Sequence, residues 1–358
     1  MPLLALRAAA ATANCPPARN AQRRSADAQR RLREEQLAGR AADAAQHLSE
    51  CGWLGTAWLE ALPRGDTEMS AQTYRTAMSI FLHLPYAAFE GRTCLCGARV
   101  TSATGIEHVD LCPKFYKTTP HNIIGEAYDS ILRSLPGQVA IVGEGGQAPA
   151  LGTVWQPRLV GGVQQLVEAT VYPDRYVTGI RSDPPAMRRV LDFTGVNVRA
   201  KRYCERGRAA TEPLFAARVG HEDKKKHYGR PGLLAAGDVL QPVAVELHGG
   251  IHPEARQQLQ EWARVAAGVR DPDQGRGILR VWRMTLALGL LRARVARVMG
   301  AVVKLGERDR RSVPVAEGQL CVPARRRGID GVCRQRSELE REIGFLPRAG
   351  RFGRGRRR

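Results

Sequence analysis

Cys94, Cys96, His108 and Cys112 fall within nineteen residues of a chain that has eight cysteines in 358 positions. Zinc takes four tetrahedral nitrogen and sulfur ligands, commonly as two close pairs joined by a loop. His108 and Cys112 stand at i and i+4, which one helical turn sets on the same face. Cys94 and Cys96 flank Leu95 in a turn relieved by Gly97. The pattern predicts a zinc site. The plainer account is three buried thiols beside a surface histidine.

A second set of residues suits phosphodiester chemistry. "RSDPPAMRRVLDFTGVN" places Asp183 before a short hairpin and Asp192 inside a strand. A turn at Pro184–Pro185 would fold the chain back so that the two carboxylates meet. Paired carboxylates are the oxygen ligands that Mg²⁺ prefers, and an ion held that way activates water against a phosphodiester. "HEDKKKHYG" offers Lys224, Lys225 and Lys226, with Tyr228 behind them, to orient the water or stabilise developing charge. Asp174 in "YPDRY" competes for the place of the first aspartate. Spacing alone favours the plainer account, with Asp183 as a turn residue, Asp192 as an arginine partner and the lysines as a solvated helix face.

The elements that must position these residues are legible in outline. "MSAQTYRTAMSIFLHLP" predicts a helix from an N-cap at Ser70 to a stop near Pro85, with Tyr74, Ala77, Met78, Phe81 and Leu82 on its buried face. "NIIGEAYDSILRSL", "EPLFAARVGHEDKKKHYG", "HPEARQQLQEWARVAAGV" and "GILRVWRMTLALGLLRARVARVM" predict further helices, the second ending at Gly229 and the third carrying Pro253 in its first turn. "RRVLDFTGVNV" and "DVLQPVAVEL" read as strands, and residues 136–180 as short strands and turns.

Residues 1–48 read as an Ala/Arg-rich extension, 49–135 as a helical segment with the cysteine cluster, 136–299 as an α/β domain and 300–358 as a disordered basic tail. From Gly300 onward 16 basic residues face 7 acidic ones. The formal net charge of +20 points to a polyanionic partner, nucleic acid by default, or else to a GC-rich genome that writes arginine wherever the fold tolerates it. Uneven cysteine spacing argues against a disulfide framework and for a reducing compartment. No apolar run reaches the length of a membrane span.

Taken in order, "WLGTAWLEALP", "FLHLP", the cysteine cluster, "PHNIIGEAYDSIL", "RSDPPAMRRVLDFTGVN", "EDKKKHYG" and "LQPVAVELHGG" carry a family likeness. Over residues 50–300 the chain resembles the region downstream of the reverse transcriptase in non-LTR (LINE-type) retrotransposons with a restriction-like endonuclease. The resemblance implies a restriction-endonuclease-like fold, a mixed central sheet flanked by helices, preceded by a Cys-Cys-His-Cys zinc knuckle. It implies Asp183 and Asp192 as Mg²⁺ or Mn²⁺ ligands, Lys224 as the catalytic lysine and Glu246 in support. Cys94, Cys96, His108 and Cys112 would hold structural zinc and help grip DNA. Thr194 stands where the commoner version of this active site has its lysine, and Ser182 precedes Asp183 where the family has a proline. The expected partners are DNA and the element's RNA, with no membrane and no small-molecule substrate, and the expected location is the nucleus. The expected origin is a truncated element lacking the polymerase core. The alternative is a catalytically decayed zinc-containing nucleic-acid binder.

Overall fold

The computed structural model describes residues 41–60, 69–115, 118–143, 148–160, 163–205, 208–268 and 272–311. Most of the expected extension, and the basic tail from 312, lie outside the described residues. Along the chain the helices are α1 (Ala41–Glu50), α2 (Ala71–Phe81), α3 (Gly105–Leu111), α4 (Thr118–Arg133), the short α5 (Lys201–Cys204) and α6 (Arg208–Thr211), α7 (Phe215–Tyr228), α8 (Pro253–Ala267) and α9 (Pro272–Arg311). The strands are β1 (Ala140–Val142), β2 (Gly152–Val160), β3 (Val163–Val171), β4 (Arg175–Thr178), β5 (Arg188–Val196) and β6 (Asp238–Glu246).

The fold is mixed α/β. Its main sheet has the order β1-β4-β5-β6. β4 is antiparallel to both β1 and β5, whereas β5 and β6 run parallel. The parallel pair requires a crossover, and α5 to α7 supply it. β2 and β3 form a separate two-stranded ribbon, and its root residues Val154 and Val171 pack with Tyr228 and Leu233.

Side chains of β5 alternate between the two faces of the sheet. Leu191 and Phe193 enter the main core with Tyr128 of α4 and Trp262 of α8. Thr194 and Val196 point to the other face, under α7, where Gly220 lets the helix approach. A Cβ on Gly220 would lie 3.0 Å from Val196 and 3.4 Å from Thr194. On the core side α9 crosses α4 so closely that a Cβ on Gly289 would come within 2.6 Å of the Ala127 methyl.

Two sequence expectations are corrected at this level. Helix α2 is capped as expected, with Ser70 Oγ accepting from the Thr73 amide, but its buried face is Thr73, Thr76, Ala77 and Ile80. Tyr74 and Leu82 are half exposed. Small residues take the inward face while Met78 and Phe81 pack along its margin. The second correction concerns the tail. α9 continues past 299 to Arg311 and buries Ala301 and Leu305. At the other end, α1 covers residues assigned to the extension and buries Ala45 against the cluster around Tyr203 and Val198.

Candidate active site

The β4–β5 register decides which carboxylates meet. Arg175 pairs with Leu191, so one step outward Asp174 faces Asp192. The Asp174 amide donates to the Leu191 carbonyl at 3.1 Å, which extends the ladder to that position. The two carboxyl groups are near enough to shift each other's proton affinity. Asp174 is preceded by Pro173, so the proline-aspartate pair missing before Asp183 occurs here instead.

Asp174 is held on three sides. Its Oδ1 lies 2.9 Å from His121 Nε2 on α4, its Oδ2 accepts from the Phe193 amide at 2.5 Å, and its backbone carbonyl accepts from Arg175 at 2.8 Å. Arg175 is itself anchored by both oxygens of the buried Asp129 on α4, at 3.1 and 3.0 Å. Burial pushes the Asp174 carboxyl up, but His121 and the Phe193 amide outweigh it and leave it below its ordinary value.

Asp192 behaves oppositely. It is almost fully buried, and that burial, aided by the Asp174 carboxyl, raises it to about 6 against the pull of Lys224. Lys224 Nζ approaches Asp192 Oδ2 to 2.5 Å from the last turns of α7. That oxygen nonetheless has no well-directed hydrogen bond. One turn on, at i+4, Tyr228 is buried against Asp192 and donates its hydroxyl to the Tyr172 carbonyl at 3.1 Å. The loop entering Asp174 is thereby tied to the helix carrying Lys224.

Asp183 and Asp192 do not come together. Asp183 lies in the hairpin turn and binds Arg189 through both oxygens, at 2.5 and 2.6 Å. Arg189 also reaches Gln241 and Gln258 and lies over the Trp262 ring. Arg189 and Asp192 are an odd number of residues apart in one strand, so they face opposite sides of the sheet. Glu246 sits four register steps along β6 from the partner of Asp192. It accepts from the Ala217 amide in the first turn of α7 at 3.2 Å. Lys225 pairs with Glu254 at 2.9 Å, away from the carboxylates.

The site brings together two mostly buried carboxyls and a lysine, and one carboxyl oxygen has no directed donor.

The cysteine cluster closes as its spacing predicts. A Cys94–Ala98 turn with Gly97 at positive φ brings up the first pair, and α3 with its cap residue brings up the second. Cys94 Sγ lies 3.6 Å from Cys112 Sγ, and Cys96 Sγ lies 3.4 Å from His108 Nε2. All four ligand atoms are within 4.8 Å of one another. A tetrahedral zinc with Zn–S near 2.3 Å has S···S edges of about 3.8 Å, so this cluster could hold a metal ion and is compatible with zinc. Arginines of α9 brace it. Arg297 donates to the carbonyls of Val109 and Cys112, Arg308 to that of Cys94, and Arg294 pairs with the buried Asp110 at 2.9 Å.

His121, part of the "PHNIIGEAYDSIL" likeness, and the Asp129–Arg175 anchor were given no site role by sequence, because only register and helix packing bring them to Asp174. Among the described residues no helix is long and apolar enough to cross a membrane. Compared with protein-family models, curated proteins and solved structures, the chain has no match.

Proposed function

We propose that this chain is a divalent-metal-dependent DNA endonuclease of the restriction-like type, related to the nicking domain of non-LTR retrotransposons. The observation that carries the reading is the convergence of Asp174, Asp192 and Lys224 where the start of β4 meets the middle of β5. The order of that sheet, an antiparallel hairpin followed by a parallel strand, supports a restriction-like core. The Cys-Cys-His-Cys cluster supports the zinc knuckle that accompanies it in that family. The +20 charge supports a nucleic-acid partner, DNA first and the element's RNA second, met in the nucleus.

In this reading Asp174 and Asp192 hold Mg²⁺ or Mn²⁺, which supplies Lewis-acid polarisation of the phosphodiester and a more acidic water. His121 and the Phe193 amide keep Asp174 ionised and aimed at the site. Lys224, about a third exposed, turns from Asp192 toward the scissile phosphate and stabilises its developing charge. Tyr228 fixes the height of α7 over the hairpin and so the reach of Lys224. Asp183 is assigned to the hairpin turn, as the partner of Arg189.

The test is nicking of supercoiled plasmid by the purified full chain with Mg²⁺ or Mn²⁺, beside an Asp192→Asn control. Metal-dependent nicking that disappears in the control is expected. A folded protein whose nicking does not differ from the control would leave a nucleic-acid binder without catalysis.

A further inference from the structure

A second group of metal-ligating side chains lies one turn earlier on α7. His221 belongs to α7, His252 caps α8, and Glu254 stands in the first turn of α8. One ligand atom from each lies within 4.8 Å of the other two. His221 is 1% exposed and His252 7% exposed, so two imidazoles have been taken out of water. Neither ring nitrogen of His221 has a well-directed hydrogen-bond partner. Burying such nitrogens without a directed hydrogen bond is unfavourable. The rings stack 3.6 Å apart at 11°. That contact does nothing for the nitrogens.

We infer that His221, His252 and Glu254 form a binding site for a borderline divalent cation of the zinc class. Two imidazoles and one carboxylate are the ligand set of open zinc sites, whose fourth position is left to water. Glu254 Oε2 lies 3.2 Å from His221 Nε2 and is available to the ion, while Oε1 holds Lys225 at 2.9 Å. The Pro242 carbonyl of β6 lies near His221 without a directed hydrogen bond to it. Glu254 is 58% exposed and gives the ion its way in. Coordination requires the rings to open from their stack, because an ion lies in the plane of each ligating ring. It also requires His252 to give up its 3.3 Å contact with the Glu254 amide. Lys225 adds a nearby positive charge. These costs make the site weaker than the cysteine cluster.

The consequence is local. His221 lies one turn before Lys224 on α7, and Pro242 is the register partner of Asp192 on β6. An ion here ties α7 to α8 one turn from the lysine that reaches Asp192. The site stands on its own residues and holds whether or not the chain cuts DNA.

Cobalt titration of the chelator-stripped full chain tests it. Thiolate ligation at the cysteine cluster gives a charge-transfer band, and a site of two histidines and a carboxylate gives only weak visible absorption. Besides any cobalt at the Asp174–Asp192 pair, two equivalents are expected in the wild type, the second of them without charge transfer. Glu254→Gln, a change at an exposed side chain, is expected to weaken the second equivalent at least tenfold and leave the first unchanged. His221→Asn, with its fold checked by circular dichroism, is expected to remove the second equivalent. Saturation of the wild type without a cobalt equivalent sensitive to Glu254→Gln would overturn the inference. The comparison between wild type and variant reads this site even if the charge-transfer band is absent, an outcome that would count against the cysteine cluster alone.

Discussion

The cysteine cluster and the carboxylate pair are assembled by different rules. Cys94, Cys96, His108 and Cys112 are brought together by one tight turn and one short helix, so their meeting depends on local geometry. Asp174, Asp192, Lys224 and His121 come from a loop, a strand and two helices spread over more than a hundred residues. Their meeting depends on one strand register, and a slip of one residue would send Asp192 to the opposite face of the sheet. Sites of the first kind are predictable from spacing. In the second kind, residue types announce the chemistry but do not name the members.

The strongest way to break this contrast is to exchange the aspartates. Asp174→Asn, Asp192→Asn and Lys224→Ala are each expected to reduce metal-dependent plasmid nicking by roughly 10²-fold or more, as loss of a charge-stabilising group does elsewhere. Asp183→Asn is expected to keep nicking within a few-fold. It should instead lower stability in urea by about 3 kcal/mol, because Arg189 is left buried without its carboxylate. Nicking that fails in Asp183→Asn but survives in Asp174→Asn would show that the register does not choose the catalytic pair.

Removing metal from the cysteine cluster addresses the other half. Chelation, or Cys112→Ser, is expected to lower the stability of the full chain by several kcal/mol, since metal affinity at such a cluster is folding free energy. Thermal melts with and without chelator read this directly. Replacing a bracing arginine is expected to do less. Arg297→Met removes two hydrogen bonds to the carbonyls of Val109 and Cys112 and should cost about 1–3 kcal/mol. Zinc should then be released at lower chelator concentration.

A smaller effect is expected from acid. His248 is buried and lies near Arg294, the residue that pairs with Asp110 beside the cluster. Burial first, and then the neighbouring positive charges, push His248 well below its ordinary value. The folded state therefore holds it neutral while the unfolded chain protonates it below about 6.5. Its contribution is fully present above that pH and is lost as pH falls below it, by up to about 1.4 kcal/mol per pH unit. Urea melts between pH 7 and 5 are expected to show this slope, and His248→Gln to flatten it. An unchanged slope would place the acid sensitivity elsewhere.

Much of the scaffold was legible. Ser70 caps α2, Gly229 ends α7, Pro253 opens α8, and β5 and β6 fall where their β-branched runs predict. These features rest on the chemistry of one or a few adjacent residues. The inward face of α2 was not legible. Ala77 and Ile80 fit any apolar stripe, but the burial of Thr73 and Thr76 is set by the neighbours the helix meets. Likewise "YPDRY" and "RSDPP" are both plausible turns with an acid, and their residues alone do not rank them.

By itself the sequence determined the helices and strands, the closure of the cysteine cluster and the kinds of residue available for chemistry, because each depends on contacts within a few positions. Tertiary structure alone decided that Asp174 rather than Asp183 stands beside Asp192. It also joined Lys224 and His121 to them and left two buried histidines facing Glu254. The reason is geometric. Side chains alternate across a sheet with a period of two, so partnership between distant residues is settled by strand register and by the helices laid on each face, neither of which is written in any single segment.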